Sequence, residues 1–399
     1  MDADSIQPNS AKKKRTKLFS WLLDERFLQV LAQLVFAAII ILIAYYLYGN
    51  MARALAKQGM VLGFDFLRVT SGFDISIKLI EHTRESSNLR ALEVGVINTI
   101  IASVIAILLS TILGVLVGIM RVSRNFMVNR IAWLYIEIFR NIPLLLVIIA
   151  SYSVYVYNLP NVKESIVLWG PSYLSNRGLY VPKLIPTATT GTYYLLLFAA
   201  LLIAIALAWV IKRRFRLDSF LSFVIGLSIF LLLGLALWFV LPQTPFGLEL
   251  PVKKGLNYKG GISLPPELIA IILGLVLGSS PFTADTVRSG LQSVSRGQIE
   301  ASRALGLNGY YTMRFVIFPQ AMRVIVPPMT SNYLSLIKNS SLASAVAYPE
   351  IVHISSTITS QTGRAVEVMA IVMLIYATLS LLTSLFMNWY NNRVKILER

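Results

Sequence analysis

The chain has no cysteine, which removes disulfides, thiol nucleophiles and Cys-containing metal sites from consideration. Histidine is almost as scarce. His82 and His353 fall in different expected loops, where a lone imidazole is more often solvated than ligating, so no metal centre is expected. Charged residues make up 14% of the 399 positions, against roughly a quarter in ordinary soluble domains. Acids are the rarer sign, 19 against 36 Lys and Arg, giving a net charge of +17. A Gly-x-x-x-x-Gly-Lys-Ser/Thr loop is also missing, so the chain lacks the cradle that would hold nucleotide phosphates for hydrolysis. With no His cluster, no thiol and no paired mid-span carboxylates, a membrane-bound enzyme has little to work with. The chain is therefore expected to be no enzyme and to carry no cofactor of its own.

What is abundant is apolar: 56% of residues are hydrophobic and the mean hydropathy is +0.68, the composition of a membrane protein. About eight stretches are long enough to cross a bilayer, which needs about 20 residues. They are Phe27–Tyr48, Val94–Met120, Ile131–Tyr157, Tyr193–Ile211, Ser219–Leu241, Glu267–Arg288, Gln320–Val346 and Glu367–Trp389. The expected fold is all-α and polytopic. Lys12, Lys13, Lys14, Arg15 and Lys17 precede the first span, too far from the start for a signal peptide, so that span is expected to be retained. In a soluble chain the surplus of positive charge would suggest nucleic acid. Here the bases gather in alternate loops, at Arg121, Arg124 and Arg130, at Lys212–Arg216, at Arg296, Arg303 and Arg314, and at Arg393, Lys395 and Arg399. That pattern favours both termini on the cytoplasmic side and excludes a nucleic-acid partner.

The organisation that follows is a tail at 1–26, a first helix and outer loop at 27–90, a core at 91–157, an insert at 158–262, the rest of the core at 263–389 and a tail at 390–399. Within the insert, the fourth and fifth spans are almost pure Leu, Ala, Ile and Phe and read as a peripheral, lipid-facing hairpin. The flanking loops 158–192 and 242–264 are rich in Pro, Gly and aromatics and read as ordered external structure. Gly114-x-x-x-Gly118 and Gly274-x-x-x-Gly278 have spacing that permits close helix contact.

One stretch is polar and helix-prone between greasy neighbours: Ser295–Pro319, SRGQIEASRALGLNGYYTMRFVIFP. Ser295 and Gln298 have capping-box spacing, Gly306 suits a left-handed C-cap, Asn308 can cap a second helix, and Pro319 is expected to stop it. Two short helices joined at a glycine, at 295–316, could be a surface loop, a helix-turn-helix, or a docking element for a cytoplasmic partner. The transmembrane flanks argue against the second.

Charges inside spans cost roughly 2.5–3.5 kcal/mol each on insertion and are candidates for a pathway by default. The third span offers Glu137 and Arg140 at i,i+3, then Asn141 and Pro143. The sixth ends near Asp285. The seventh offers Asn332, Lys338, Asn339, Ser340 and Ser341, with Lys338 expected in a cavity or helix contact. Pro281 and the pair Pro327–Pro328 are expected to interrupt the sixth and seventh spans, as a break or as a kink.

Glu300-Ala301, Gly306 and Pro319 resemble the Glu-Ala-Ala motif of permease subunits of ABC importers, with Ser302, Val316 and Phe318 as mild departures. Tyr135–Leu145 and Ala284–Gly290 resemble signature segments of polar amino acid permeases, as do Pro319-Gln320-Ala321-x-Arg323 and Lys338–Ser344. The resemblance covers about 90–157 and 263–389, and the large insert is similar to the general L-amino acid subgroup. It implies a type I importer permease core in the bacterial inner membrane, moving L-amino acids by alternating access. It further implies a second homologous permease, two cytoplasmic ATPase subunits holding ATP and Mg, and a periplasmic amino-acid-binding protein. Glu300, Ala301, Arg303, Gly306 and Pro319 would then couple the spans to the ATPase. A secondary transporter or channel is the competing class; it predicts an inverted repeat and mid-span ionisable residues, whereas no inverted repeat is visible and the charged residues cluster near span ends or motifs.

Overall fold

The computed structural model describes residues 25–57, 63–215 and 219–394. The basic run Lys12–Lys17, Arg216, Lys395 and Arg399 lie outside these residues. The chain divides into two units, Met1–Phe66 and Leu67–Arg399. The first holds one long helix, α1 (Glu25–Lys57), whose apolar side chains are exposed along its length.

The second unit is built around two long helices. α2 (Asn88–Val122) starts where the Ser87 side chain accepts from the Arg90 N–H, and it lies along α7 (Pro266–Gln292). Small residues make the contact possible. A Cβ on Gly114 would sit 2.5 Å from the Cβ of Thr283, and one on Gly118 would meet the Ala284 carbonyl at 2.9 Å. On another side of α7, Gly274 and Gly278 receive Ile148 and Leu144. The buried core collects Ala102, Ala106, Ile148, Ile271, Leu275 and Leu336 around this shaft.

The expected third span is two helices. α3 (Phe126–Asn141) and α4 (Leu144–Asn158) meet at 104°, with extended Ile142 and Pro143 between them. The residue before a proline is pushed out of the α region, and here that preference turns the chain within a stretch whose length and hydropathy suggested one span. The sixth and seventh spans show the opposite. α7 passes through Pro281, and α10 (Phe318–Asn339) passes through Pro327 and Pro328, so none of the three prolines breaks its helix. α10 runs into a 3₁₀ turn, Ser340–Val346, which ends at Ala347 in the left-handed region. Two further helices close the unit, α11 (Ile351–Thr362) and α12 (Ala365–Val394). Among the described residues six helices are long and apolar enough to span a membrane, seven if the bent α3–α4 pair counts as one; α10 is helical but too polar to be counted.

The insert carries α5 (Thr190–Phe215) and α6 (Ser219–Val240), which pack chiefly on each other, and eight short strands that hydropathy did not anticipate. β1 (Ile166–Val167), β2 (Tyr173–Ser175), β3 (Gly178–Val181) and β8 (Ile262–Leu264) form an antiparallel sheet in that order. β4 (Lys183–Pro186) pairs with β5 (Phe246–Glu249), and β6 (Val252–Lys254) with β7 (Asn257–Lys259). Tyr173, Tyr180 and Tyr258 stack at 4.7–4.8 Å to give these strands a small core of their own. β8 leads through Pro265 straight into α7. The sheets therefore sit at one end of a helix roughly 40 Å long, and Ser295–Pro319 at the other.

Candidate functional site

At the C-terminal end of α7, the chain leaves through Ser293 and Val294 and begins α8 (Arg296–Ala304). Ser295 has the extended backbone of an N-cap, but its side chain makes no capping bond. The expected capping box is absent, and the Gln298 amide oxygen accepts from Gln320 Nε2 at 3.4 Å, tying α8 to the base of α10. The C-terminus forms as the glycine foretold. Gly306 has φ +77°, its N–H donates to the Arg303 carbonyl, and the Leu307 N–H reaches back to Ser302, which together make a Schellman cap.

The Asn308 side chain then caps α9 (Gly309–Tyr311) by accepting from the Tyr311 N–H at 3.0 Å. Pro319 does not stop this helix. A π turn, Thr312–Ile317, carries the chain into α10, with Phe318 N–H bonding five residues back to Met313. An α-helix would drive the proline ring into the preceding turn, and the wider π turn relieves that clash.

Ser302, an apparent departure from a Glu-Ala-Ala pattern, is the buried pin of the assembly. Its Oγ lies 2.7 Å from the Ile299 carbonyl and 3.1 Å from Thr312 Oγ1, joining α8 to the helix that follows. The other side faces out. Glu300, Ala301, Arg303 and Ala304 are exposed, Leu305 is 80% exposed, and Tyr310 and Phe315 are about as open at 63% and 60%. An apolar, aromatic-rich patch with Glu300, Arg303 and Arg314 beside it is the composition of a protein-binding surface.

A second cluster forms where α3, α7 and α10 meet. Arg140 Nη1 lies 2.8 Å from Asp285 Oδ2, while Glu137 and Arg288 stand 3.9 Å from Arg140 and Asp285 respectively. Glu137 and Arg140 thus face each other as the i,i+3 spacing suggested, but the shorter bond crosses from α3 to α7. The Asn141 amide donates to the Glu137 carbonyl at 2.7 Å. Beside them is a cavity of about 380 Å³ lined by Arg140, Pro143, Ser279, Asn332 and Asn339. Asn332 lines this cavity, and its Nδ2 is buried with no hydrogen-bond partner among the described residues. Arg140 and Asn332 were singled out in sequence; their meeting on one wall was not legible there.

Three candidates fall elsewhere. Lys338 is exposed and does not line the cavity, so the expected cavity position or helix contact is not made. Ser340 and Ser341 donate to the Ile337 and Lys338 carbonyls at 2.6 and 2.8 Å, closing the C-terminal turn of α10 rather than facing the cavity.

A residue the sequence did not flag is Glu350. It is fully buried, caps α11 by accepting from the Val352 and His353 N–H groups at 2.8 Å each, and accepts from the Tyr376 hydroxyl of α12 at 3.2 Å. The signal for it was an acid directly before a helical run and after Pro349, the position of an N-cap.

Comparison with known proteins adds the following. Residues 197–396 match the family model described as binding-protein-dependent transport system inner membrane component. The chain is 38% identical to the general L-amino acid transport system permease protein AapQ of Rhizobium johnstonii, over 95% of each chain. It is 34% identical to the glutamate/glutamine/aspartate/asparagine transport system permease protein BztB of Rhodobacter capsulatus, over 96% of this chain and 97% of that one. A crystal structure of an amino acid ABC transporter with histidines aligns with a TM-score of 0.45 and 19% identity, covering 76% of this chain and 94% of the other.

Proposed function

This chain belongs to the family of binding-protein-dependent transport system inner membrane components, and from that premise we propose that it is the permease subunit of an ATP-driven importer of L-amino acids. It is a multi-pass membrane protein and a transport component rather than an enzyme. In this reading both termini are cytoplasmic, and the chain works with a second homologous permease, two ATPase subunits carrying ATP and Mg, and a periplasmic amino-acid-binding protein. The substrate class is supported by the names of relatives that match nearly the whole chain.

The observation that carries the coupling assignment is the exposed face of α8 and α9 at the end of α7. α8 is a short helix with Glu300, Ala301, Arg303 and Leu305 turned outward, and its underside is fixed to the π turn before α10 through Ser302–Thr312 and to α10 itself through Gln298–Gln320. Force applied to the outer face would pass into α7 and α10, the two helices that flank the Arg140 cavity. Arg140 and the Asn332 amide would receive the substrate carboxylate, and Asp285 would hold or release Arg140 as the helices move.

The test is coupled transport. The chain is reconstituted in proteoliposomes with its ATPase, permease and binding-protein partners, and uptake and ATP hydrolysis are measured together. Glu300→Ala and Gly306→Val are expected to reduce both by about tenfold or more, since each removes a surface contact or forces a side chain into a left-handed turn. Normal coupled hydrolysis and uptake in both variants would overturn the coupling assignment. Uptake that proceeds without the ATPase would overturn the importer reading itself.

A further inference from the structure

The strands of the insert stand outside both the Arg140 cavity and the α8–α9 surface, yet one of their hairpins is firmly built and left uncovered. β6 and β7 pair Val252 with Lys259, Lys253 with Tyr258 and Lys254 with Asn257. Paired residues share a face and neighbours alternate, so Lys253 and Tyr258 point one way and Val252, Lys254 and Lys259 the other. The first face is fastened to the rest of the insert. The Tyr258 ring lies 4.7 Å from that of Tyr173 and 4.8 Å from that of Tyr180, its hydroxyl bonds Ser165 Oγ, and Lys253 Nζ donates to the Lys163 carbonyl at 3.0 Å. A two-stranded ribbon is marginal alone, and these contacts hold it in one place.

The second face is open. Val252 is 64% exposed and Leu256, at the turn, 65%. Lys254 and Lys259 are exposed too, and neither has an ion-pair partner among the described residues. Acids are scarce around them: residues 158–187 and 242–264 contain Glu164 and Glu249 against six Lys and Arg, and neither acid forms an ion pair. Lysine at a strand edge can serve merely to repel other edges. Val252 beside Lys259, and Leu256 at the turn after Lys254, add an apolar anchor that a repelling edge does without.

Resting on the importer reading, we propose that the β6–β7 hairpin is a docking surface for the external amino-acid-binding protein, whose carboxylates meet Lys254 and Lys259 while its surface covers Val252 and Leu256. Charge selects the occupant, an acidic protein face. Position selects it again: the strands lie at the end of α7 opposite the α8–α9 surface, so in that reading they face the side where the binding protein works. From Lys259 the chain passes through Gly260, Gly261 and β8 into α7, so a partner seated on the hairpin bears on the helix that borders the cavity.

The complete transporter, this chain with its permease and ATPase partners, is placed in phosphatidylcholine nanodiscs and titrated with its amino-acid-loaded binding protein. Wild-type affinity is expected to weaken about fivefold or more as salt rises from about 0.05 to about 0.3 M. Lys254→Glu combined with Lys259→Glu is expected to weaken it about tenfold or more at low salt, and because the reversal keeps the edge charged, edge protection is retained. Leu256→Ser is expected to cost about threefold with the salt dependence kept. Lys183→Glu, at an exposed position of β4, is expected to change affinity by less than about twofold. Binding by the reversed variant equal to wild type overturns the proposal, as does equal weakening by Lys183→Glu. Wild-type affinity indifferent to salt overturns it even where a variant fails to fold. A loss seen only in discs containing phosphatidylglycerol would put the lysines on lipid headgroups and overturns it as well. Uptake in proteoliposomes separates this surface from the importer reading: a wild type that imports while the reversed variant binds normally removes the docking surface alone, and a wild type that never imports removes both.

Discussion

Glu350 shows how a single buried carboxyl can hold two helices and still be poised to titrate. Burial raises its pKa to about 7 from an ordinary 4.5, against the opposing pull of the Val352 and His353 N–H groups and the Tyr376 hydroxyl. The folded state therefore binds the proton more tightly than the unfolded chain does. Glu350's contribution to stability is greatest below about pH 4.5, falls as pH rises through 7, and is then flat; the full swing is about 3 kcal/mol. His82 and His353 pull the other way, since burial lowers both and favours the fold as pH rises. The prediction is accordingly a difference. Glu350→Gln keeps an acceptor for the helix cap but cannot ionise, so its melting temperature should gain on wild type between pH 5 and pH 8. Thermal unfolding of the two proteins in detergent across that range measures it; parallel curves would mean that the fold does not raise the carboxyl's pKa.

At the scale of elements, the α2–α7 contact depends on glycine for a reason of distance rather than flexibility. A methyl group on Gly114 has no room beside Thr283 and the Ser280 carbonyl, which it would meet at 2.5 and 2.9 Å. Gly114→Ala is expected to push the two helices apart and destabilise the unit by about 1–3 kcal/mol. Gly191→Ala, which meets nothing within 4 Å, should leave the melting temperature unchanged. Equal effects at both positions would remove close approach as the explanation. This contact also marks what the chain did and did not reveal. Spacing of small residues located the contacts at Gly114, Gly118, Gly274 and Gly278, and turn chemistry located Gly306 and Asn308, because these are local requirements. Hydropathy could not say that Gly114 faces α7 while Gly274 faces α4. It ran straight across Ile142–Pro143, where a local backbone preference bends the chain by 104°. Strands of two to four residues are too short for a period-2 pattern, so the insert's sheets were invisible. The Arg140–Asp285 bond joins positions 145 apart, a pairing that only tertiary packing sets.

For the whole molecule, the separation of roles follows from α7. One end carries the strands, the other the α8–α9 surface, and the cavity lies along its length between α3 and α10. The α5–α6 hairpin branches from this plan at β4 and β5, where Pro186 and Phe246 are register partners. Because these strands are antiparallel neighbours, their ends can be rejoined without moving either one. Replacing residues 187–245 by an Asn-Gly turn would close β4 and β5 as an ordinary two-residue hairpin. The helices removed pack chiefly on each other, so the α2–α7 core keeps its contacts. The shortened chain is therefore expected to elute as a single species and to melt within a few degrees of the full protein. Size-exclusion chromatography and thermal unfolding on the same preparation separate the outcomes. A chain that aggregates would make the hairpin part of the core instead of a branch from it.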